Sequence, residues 1–422
     1  MRSTRFVFAL IIITAATLGG DMQLIARAAP TTVPASTKPF TLKVVLYPFI
    51  PDFAGYTKAL LSGFASQPEG HGVTIDSIDL SGNYYDKDSP KYVGTTTADV
   101  YELDSVFLHN FAQGDGVPRL QPLPAQLIEG DNPFLASAVS GAQIGTTWYG
   151  VPHWVCSNFL FYRKDDTQLA AARTTTDLLA IWPIQPTDTR SALLLDLKGK
   201  STIGEFYLMA DVDRSNDVND VYENIKAGLD KTLEPDLMVL RKYCAVGYCR
   251  SKQIHNDDPT YYARNFARRN ARAYVYYSEG LHDVLAESTL KCSPQENCLR
   301  DSDIAVNPLP LDEKGTTPMV WVDSFAISST CTGDCLSHAI DFIKYATAER
   351  TVLAALLGDS AGVPRYLMPA RTSLYSNPSL LAEAHLYPQL WTMIHRAVAP
   401  STLDLNTNLR TFGGTIDSDL GQ

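Results

Sequence analysis

The sequence predicts an α/β protein of roughly two domains or lobes, and three observations lead there. Short apolar runs rich in β-branched residues alternate with helix-spaced stretches through the first half, the pattern of a parallel sheet covered by helices. The chain has 422 residues, and about 394 remain after an N-terminal export segment, more than a single core usually covers. No internal repeat and no extended low-complexity segment interrupts the alternation.

Taken in order, Met1-Arg2-Ser3-Thr4-Arg5 is a short basic start, followed by the apolar run "FVFALIIITAATLGG". That run is too short and too rich in small residues for a comfortable membrane span. Ala26-Arg27-Ala28 offers a small-x-small cleavage site, so residues 1–28 read as a signal peptide and 29–38 as a flexible leader. A membrane anchor or a buried helix is the competing reading, but no lipid-attachment cysteine follows the apolar run. "FTLKVVLYPFIP" is then a strand ending in turn residues, "FAGYTKALLSGFASQ" a helix and "VTIDSIDLS" a second strand. A polar loop leads to the strand "ADVYELD" and the helix "SVFLHNFA". Ligands of such sheets sit beyond the carboxyl ends of the strands, where Tyr47 and Asp104 fall.

"TTWYGVPHWVCSNFLFYRKDD" reads as two extended segments interrupted around Cys156-Ser157-Asn158. Helical patterns follow in "TTTDLLAIW", "STIGEFYLMADV" and "NIKAGLDKTLEPDLMVLRKY", then a strand in "ARAYVYYSE". "IAVNPLP" and "PMVWVDSFAIS" are later strands, and "CLSHAIDFIKYATAERTVLAALLG" is a long helical region before the helical "LYPQLWTMIHRAVAP".

The cysteines agree with export. Cys244 and Cys249, Cys292 and Cys298, and Cys331 and Cys335 are close neighbours, and in an oxidising compartment such neighbours usually staple a loop or helix end. Metal binding competes, but the spacings differ from one another and no CxxC occurs. The formal charge is −11 and no Lys/Arg cluster stands out, which argues against a nucleic-acid partner. An acidic surface mildly favours a cationic ligand.

Cys156 is the cysteine without a neighbour. A thiolate there would be nucleophilic given a base or a positive field; a small buried hydrophobe is the plainer reading. A Cys–His hydrolase using His153 is poorly placed, because extended residues three apart point to opposite faces. Two strands carry an aromatic two residues before a carboxylate: Tyr277 with Glu279, and Trp321 with Asp323. Glu279 could simply open the following helix, and Asp323 and Asp104 could simply cap. Together, strand-end carboxylates beside aromatic rings suit a planar, positively charged heterocycle.

The order of elements resembles the two-lobed periplasmic solute-binding proteins, with "GVP…NFLFYRKD" at the crossover between lobes. That resemblance implies a ligand cleft between lobe 1 (39–155 with part of 320–368) and lobe 2 (156–319 with the helical tail 369–422). "GVPHWVCSNFLFYRKDD" with "YVYYSEGL", "YELDSVFL", "LYPFIPD" and "VWVDSFAI" more closely resembles thiaminase I, an exported enzyme on that fold. The resemblance implies Cys156 as nucleophile and Glu279 as its base, with Tyr47, Asp104, Tyr277 and Asp323 lining a thiamine pocket. Trp321 stands where similar enzymes have tyrosine. A further carboxylate upstream of the cysteine has no secure counterpart, Asp131 being a candidate without a motif. Tyr84 or Tyr85 and Tyr261 or Tyr262 are further aromatic candidates. The expected substrates are thiamine and a small nucleophile (an amine, pyridine or thiol), with no metal or organic cofactor and no membrane contact after signal removal. A monomer is the expected state. A non-catalytic binding protein for thiamine or a similar cation is the alternative.

Overall fold

The computed structural model describes residues 39–419 apart from 125–126, 129–131, 183–192, 196–199, 229, 245–259, 294 and 315–316. The expected signal peptide and leader, the Cys244–Cys249 pairing and Asp131 lie outside the described residues.

Twelve strands are described. β1 (Phe40–Val45), β2 (Val73–Ile78) and β3 (Val100–Asp104) pair in parallel, as the early alternation predicts. The rest of their sheet departs from the expected parallel arrangement. β6 (Val151–Cys156), β11 (Trp321–Ile327) and β12 (Met368–Pro369) join antiparallel, giving the order β12-β6-β11-β3-β1-β2. The cause is the route of the chain. β6 leaves this sheet at Ser157 for a second one, and β11 returns only after the second sheet is complete. β3, β6 and β11 are buried on both faces, which is why they read as unbroken apolar runs.

The second sheet has the order β10-β7-β9-β8, from β7 (Asn158–Arg163), β8 (Leu193–Leu195), β9 (Ala273–Tyr277) and β10 (Ile304–Pro308). A two-stranded hairpin of β4 (Gln143–Ile144) and β5 (Thr147–Trp148) leads into β6.

Two helical stretches are more divided than their patterns predict. Gly228, at φ 106°, ends the helix Val218–Ala227 in a conformation open to glycine, and a new helix starts at Glu234. The long region after Cys335 breaks at Thr347-Ala348 into Asp334–Ala346 and Glu349–Leu357. Several helices were not anticipated, the longest of them Leu405–Asp419, which packs along Lys200–Ser215.

That packing depends on Gly204. A Cβ there would stand 2.2 Å from the backbone carbonyl oxygen of Leu409, so no side chain fits without the helices parting. Gly204→Ala is expected to lower stability by about 1–3 kcal/mol through this overpacking, which a denaturant titration would register. An unchanged midpoint would mean that the two helices separate freely.

Disulfides join Cys292 to Cys298 and Cys331 to Cys335, as their spacing predicts, and among the described residues Cys156 is the free cysteine. No helix among the described residues is long and apolar enough to cross a membrane.

Candidate active site

The single residue Ser157 separates the two sheets, so its neighbours bring both to one place. Cys156, the last residue of β6, lies opposite Trp321 of β11. Asn158, the first of β7, lies opposite Tyr277, the last of β9. A cavity of about 440 Å³ opens there, within the size range of small-molecule sites. Its walls include Cys156, Glu279, Tyr47, Asp104, Tyr277 and Trp321, six of the seven residues expected to carry catalysis or line the pocket. The seventh, Asp323, is 1% exposed and sits within β11 opposite Asp104 of β3, where the β11–β6 pairing shifts register.

Asp104 combines the capping and pocket roles. Its Oδ1 accepts the N–H of Val106 (3.0 Å), capping the helix Ser105–Gln113, while its Oδ2 accepts the Tyr85 hydroxyl (2.5 Å). Tyr85 is thus the cavity aromatic of its pair. Tyr84 is fully buried and donates its hydroxyl to the Glu102 carbonyl oxygen (3.1 Å). Tyr261 and Tyr262 lie in the helix Tyr261–Ala267 and are not brought to the cavity.

Glu279 does not continue the strand as its spacing with Tyr277 suggests. β9 ends at Tyr277, and Glu279 stands in helical conformation just before Gly280–Ala286, with no capping bond from its side chain. Its carboxyl therefore remains available to the cavity. Burial is the main cause of its elevated pKa, about 7, against which backbone and Ser278 hydrogen bonds pull down. The helix that it opens is tied across to the loop after Glu349–Leu357, where His282 Nε2 lies 2.8 Å from Asp359.

Cys156 lies 4.0 Å from the Trp321 carbonyl oxygen and is 8% exposed. Burial, then the carboxylates Asp323, Glu279, Asp104 and Glu205, push its thiol well above the usual range. His153 is committed elsewhere: its Nδ1 is 2.6 Å from Oε1 of the fully buried Glu102, whose Oε2 accepts the Tyr47 N–H (2.9 Å). Burial, then Asp104, Glu102 and Glu279, push the Asp323 carboxyl well above the usual carboxylate range, and its Oδ1 has no hydrogen-bond partner.

Glu205 is a cavity carboxylate that sequence reasoning missed. It projects from Lys200–Ser215 and accepts hydrogen bonds from the Tyr277 hydroxyl, the Trp321 side chain and, at 3.5 Å, Asn158 Nδ2. Burial raises it to about 8. The available signal was "IGEF", a glycine inside a helical pattern beside a carboxylate. Phe49, 44% exposed and stacked on Tyr85, was likewise not anticipated.

Comparison with known proteins follows the same lines. Residues 157–291 match the family model of the thiaminase-1 domain. Thiaminase-1 of Paenibacillus thiaminolyticus is 26% identical over 368 residues, covering 84% of this chain and 81% of that protein. The solved thiaminase I from Bacillus thiaminolyticus superposes with a TM-score of 0.72 at 24% identity, over 90% of this chain and 100% of that one. Clostridium botulinum thiaminase I in complex with thiamin gives 0.71 at 22%, with the same coverage. Maltose-bound T. maritima MalE3 gives 0.63 at 17%, over 90% and 94% of the respective chains. The fold is that of thiaminase I and of the sugar-binding proteins, and the resemblance to thiaminase I read from the motifs is borne out.

Proposed function

We propose that this chain is a thiaminase I-like enzyme, an exported thiamine-degrading transferase, with Cys156 as nucleophile and Glu279 as base. The observation that carries the reading is the meeting of a free thiol and an elevated carboxyl in one cavity walled by aromatic rings and carboxylates. Such walls suit a cationic heterocycle through stacking, cation–π contact and charge. The two sheets with their helices form the two lobes, the protein acts as a monomer, and thiamine binds between them.

Thiamine joins an aminopyrimidine to a thiazolium through a methylene. Glu279 takes the Cys156 proton and the thiolate adds to C6 of the pyrimidine. The electron-rich adduct expels neutral thiazole, a nucleophile adds at the methylene, and the restored aromatic ring releases Cys156. Asp104 and the unpartnered oxygen of Asp323 suit the pyrimidine amino group and ring nitrogens. Burial and the surrounding carboxylates by themselves disfavour the thiolate. A bound thiazolium reverses that field, so the substrate itself promotes its own attack.

Incubation with thiamine and pyridine, followed by mass spectrometry, tests the reading through release of thiazole and formation of the pyridinium product. A protein that binds thiamine without turning it over is a solute-binding protein instead. Glu279 must be ionised to act, so the pyridine reaction should fall as pH drops below about 7. Glu279→Gln should lose about 10²–10⁴-fold and flatten that limb of the pH profile. A limb that persists in this variant would assign the base elsewhere.

A further inference from the structure

The proton balance of this reaction leaves one proton without an acceptor. This inference rests on the proposed function. Once Cys156 has given its proton to Glu279 and bonded to the pyrimidine, Glu279 stays protonated, because the thiazole leaves as a neutral base. A cosubstrate such as pyridine brings no proton and forms a pyridinium product. A thiol does bring one: thiamine cation and thiol yield thioether, thiazole and a free proton. As that sulfur bonds to the methylene before Cys156 departs, Glu279 still holds its proton, and the new proton needs a different acceptor at that moment.

We propose that Glu205 is the second base of the site, taking the proton of a protic cosubstrate while Glu279 holds the proton from Cys156. Glu205 lies in the same cavity wall as both groups but on a different element, the helix Lys200–Ser215. Three donors from three strands fix its carboxyl: Tyr277 at the end of β9, Trp321 at the start of β11 and Asn158 at the start of β7. Gly204 lets its helix reach backbone contact with Leu409, itself in the cavity wall. A carboxylate raised to about 8 by burial holds a transferred proton more firmly than an ordinary surface carboxylate.

In the step itself, the cosubstrate sulfur bonds to the methylene carbon and its proton passes to Glu205. The pyrimidine electrons then break the bond to Cys156 Sγ, and that sulfur recovers its proton from Glu279. Glu205 releases its proton to solvent after the product departs, matching the net proton of the overall reaction.

The test compares a small thiol with pyridine as cosubstrate, in wild type and Glu205→Gln, with product measured by mass spectrometry. The thiol-to-pyridine rate ratio is expected to fall about 10²-fold in Glu205→Gln. In wild type, after correction for the thiol's own ionisation, the ratio should rise with pH through about 8. Glu205→Asp, which keeps a carboxylate but withdraws it, should give an intermediate ratio and serves if Glu205→Gln does not fold. An unchanged ratio in a folded variant overturns the second base and leaves the thiaminase reading standing. The burst of thiazole without cosubstrate reports the first half-reaction separately. Its absence in wild type removes the thiaminase reading, and this proposal with it.

Discussion

Cys156→Ser is expected to retain thiamine binding and to lose turnover by on the order of 10⁴–10⁶-fold. The geometry explains why the loss should be so complete. The side chain is 8% exposed and its surroundings are four carboxyl groups, an environment that opposes any anion. A thiol can still ionise there when a cation binds and Glu279 accepts its proton. An alcohol, whose oxygen is far less acidic, cannot. Because serine is slightly smaller and the site is already polar, thermal unfolding should change little, so lost activity will not reflect lost structure. Binding by calorimetry and thiazole release by mass spectrometry separate the two effects. Residual turnover near the wild-type rate would remove Cys156 from the chemistry. The same surroundings should make the empty protein slow to react with iodoacetamide at neutral pH.

The legible parts of this protein are those set by local chemistry. β1, β2 and β3 follow from apolar runs ending in turn residues, and Asp104 follows from an N-cap pattern at a strand–helix junction. Its second role, accepting from Tyr85, adds to the cap without replacing it because a carboxylate has two oxygens. The antiparallel return of β11 was not legible, since pairing direction depends on where the chain goes after Ser157 and not on β11's own residues. Leu405–Asp419 escaped because "LNTNLRTFGGTIDSD" is polar and contains two glycines, and its helix is supported by the partner Lys200–Ser215. Glu205 escaped for a related reason. Nothing in a single carboxylate on a helix reveals which strand ends face it across a cleft. Family resemblance supplied Cys156 and Glu279, and the register of Cys156 with Trp321 and Asn158 with Tyr277 explains how residues far apart in sequence meet.

Glu102→Ala is expected to destabilise the protein by about 2–5 kcal/mol, the cost of leaving two buried hydrogen-bonding groups without their partner. Glu102 is fully buried, holds His153 at 2.6 Å and accepts the Tyr47 N–H at 2.9 Å. Removing it strands a ring nitrogen and a backbone donor in the core, each without access to water. The pair also decides between two chemistries. A cysteine hydrolase would need His153 free to reach Cys156, whereas here the ring is turned to Glu102 and lies tilted against Trp154 and Phe325. His153→Ala should therefore lower the denaturation midpoint, leave the pH limb near 7 in place and produce no change in action on acyl substrates. Tyr47, released from its anchor in Glu102→Ala, should weaken thiamine binding and so raise KM more than it lowers kcat. Glu102→Gln keeps an acceptor for the Tyr47 N–H and should recover most of that binding while restoring only part of the stability. If Glu102→Ala unfolds at the wild-type denaturant concentration, the pair is not holding the cavity wall, and the position of Tyr47 must be set by β1 alone.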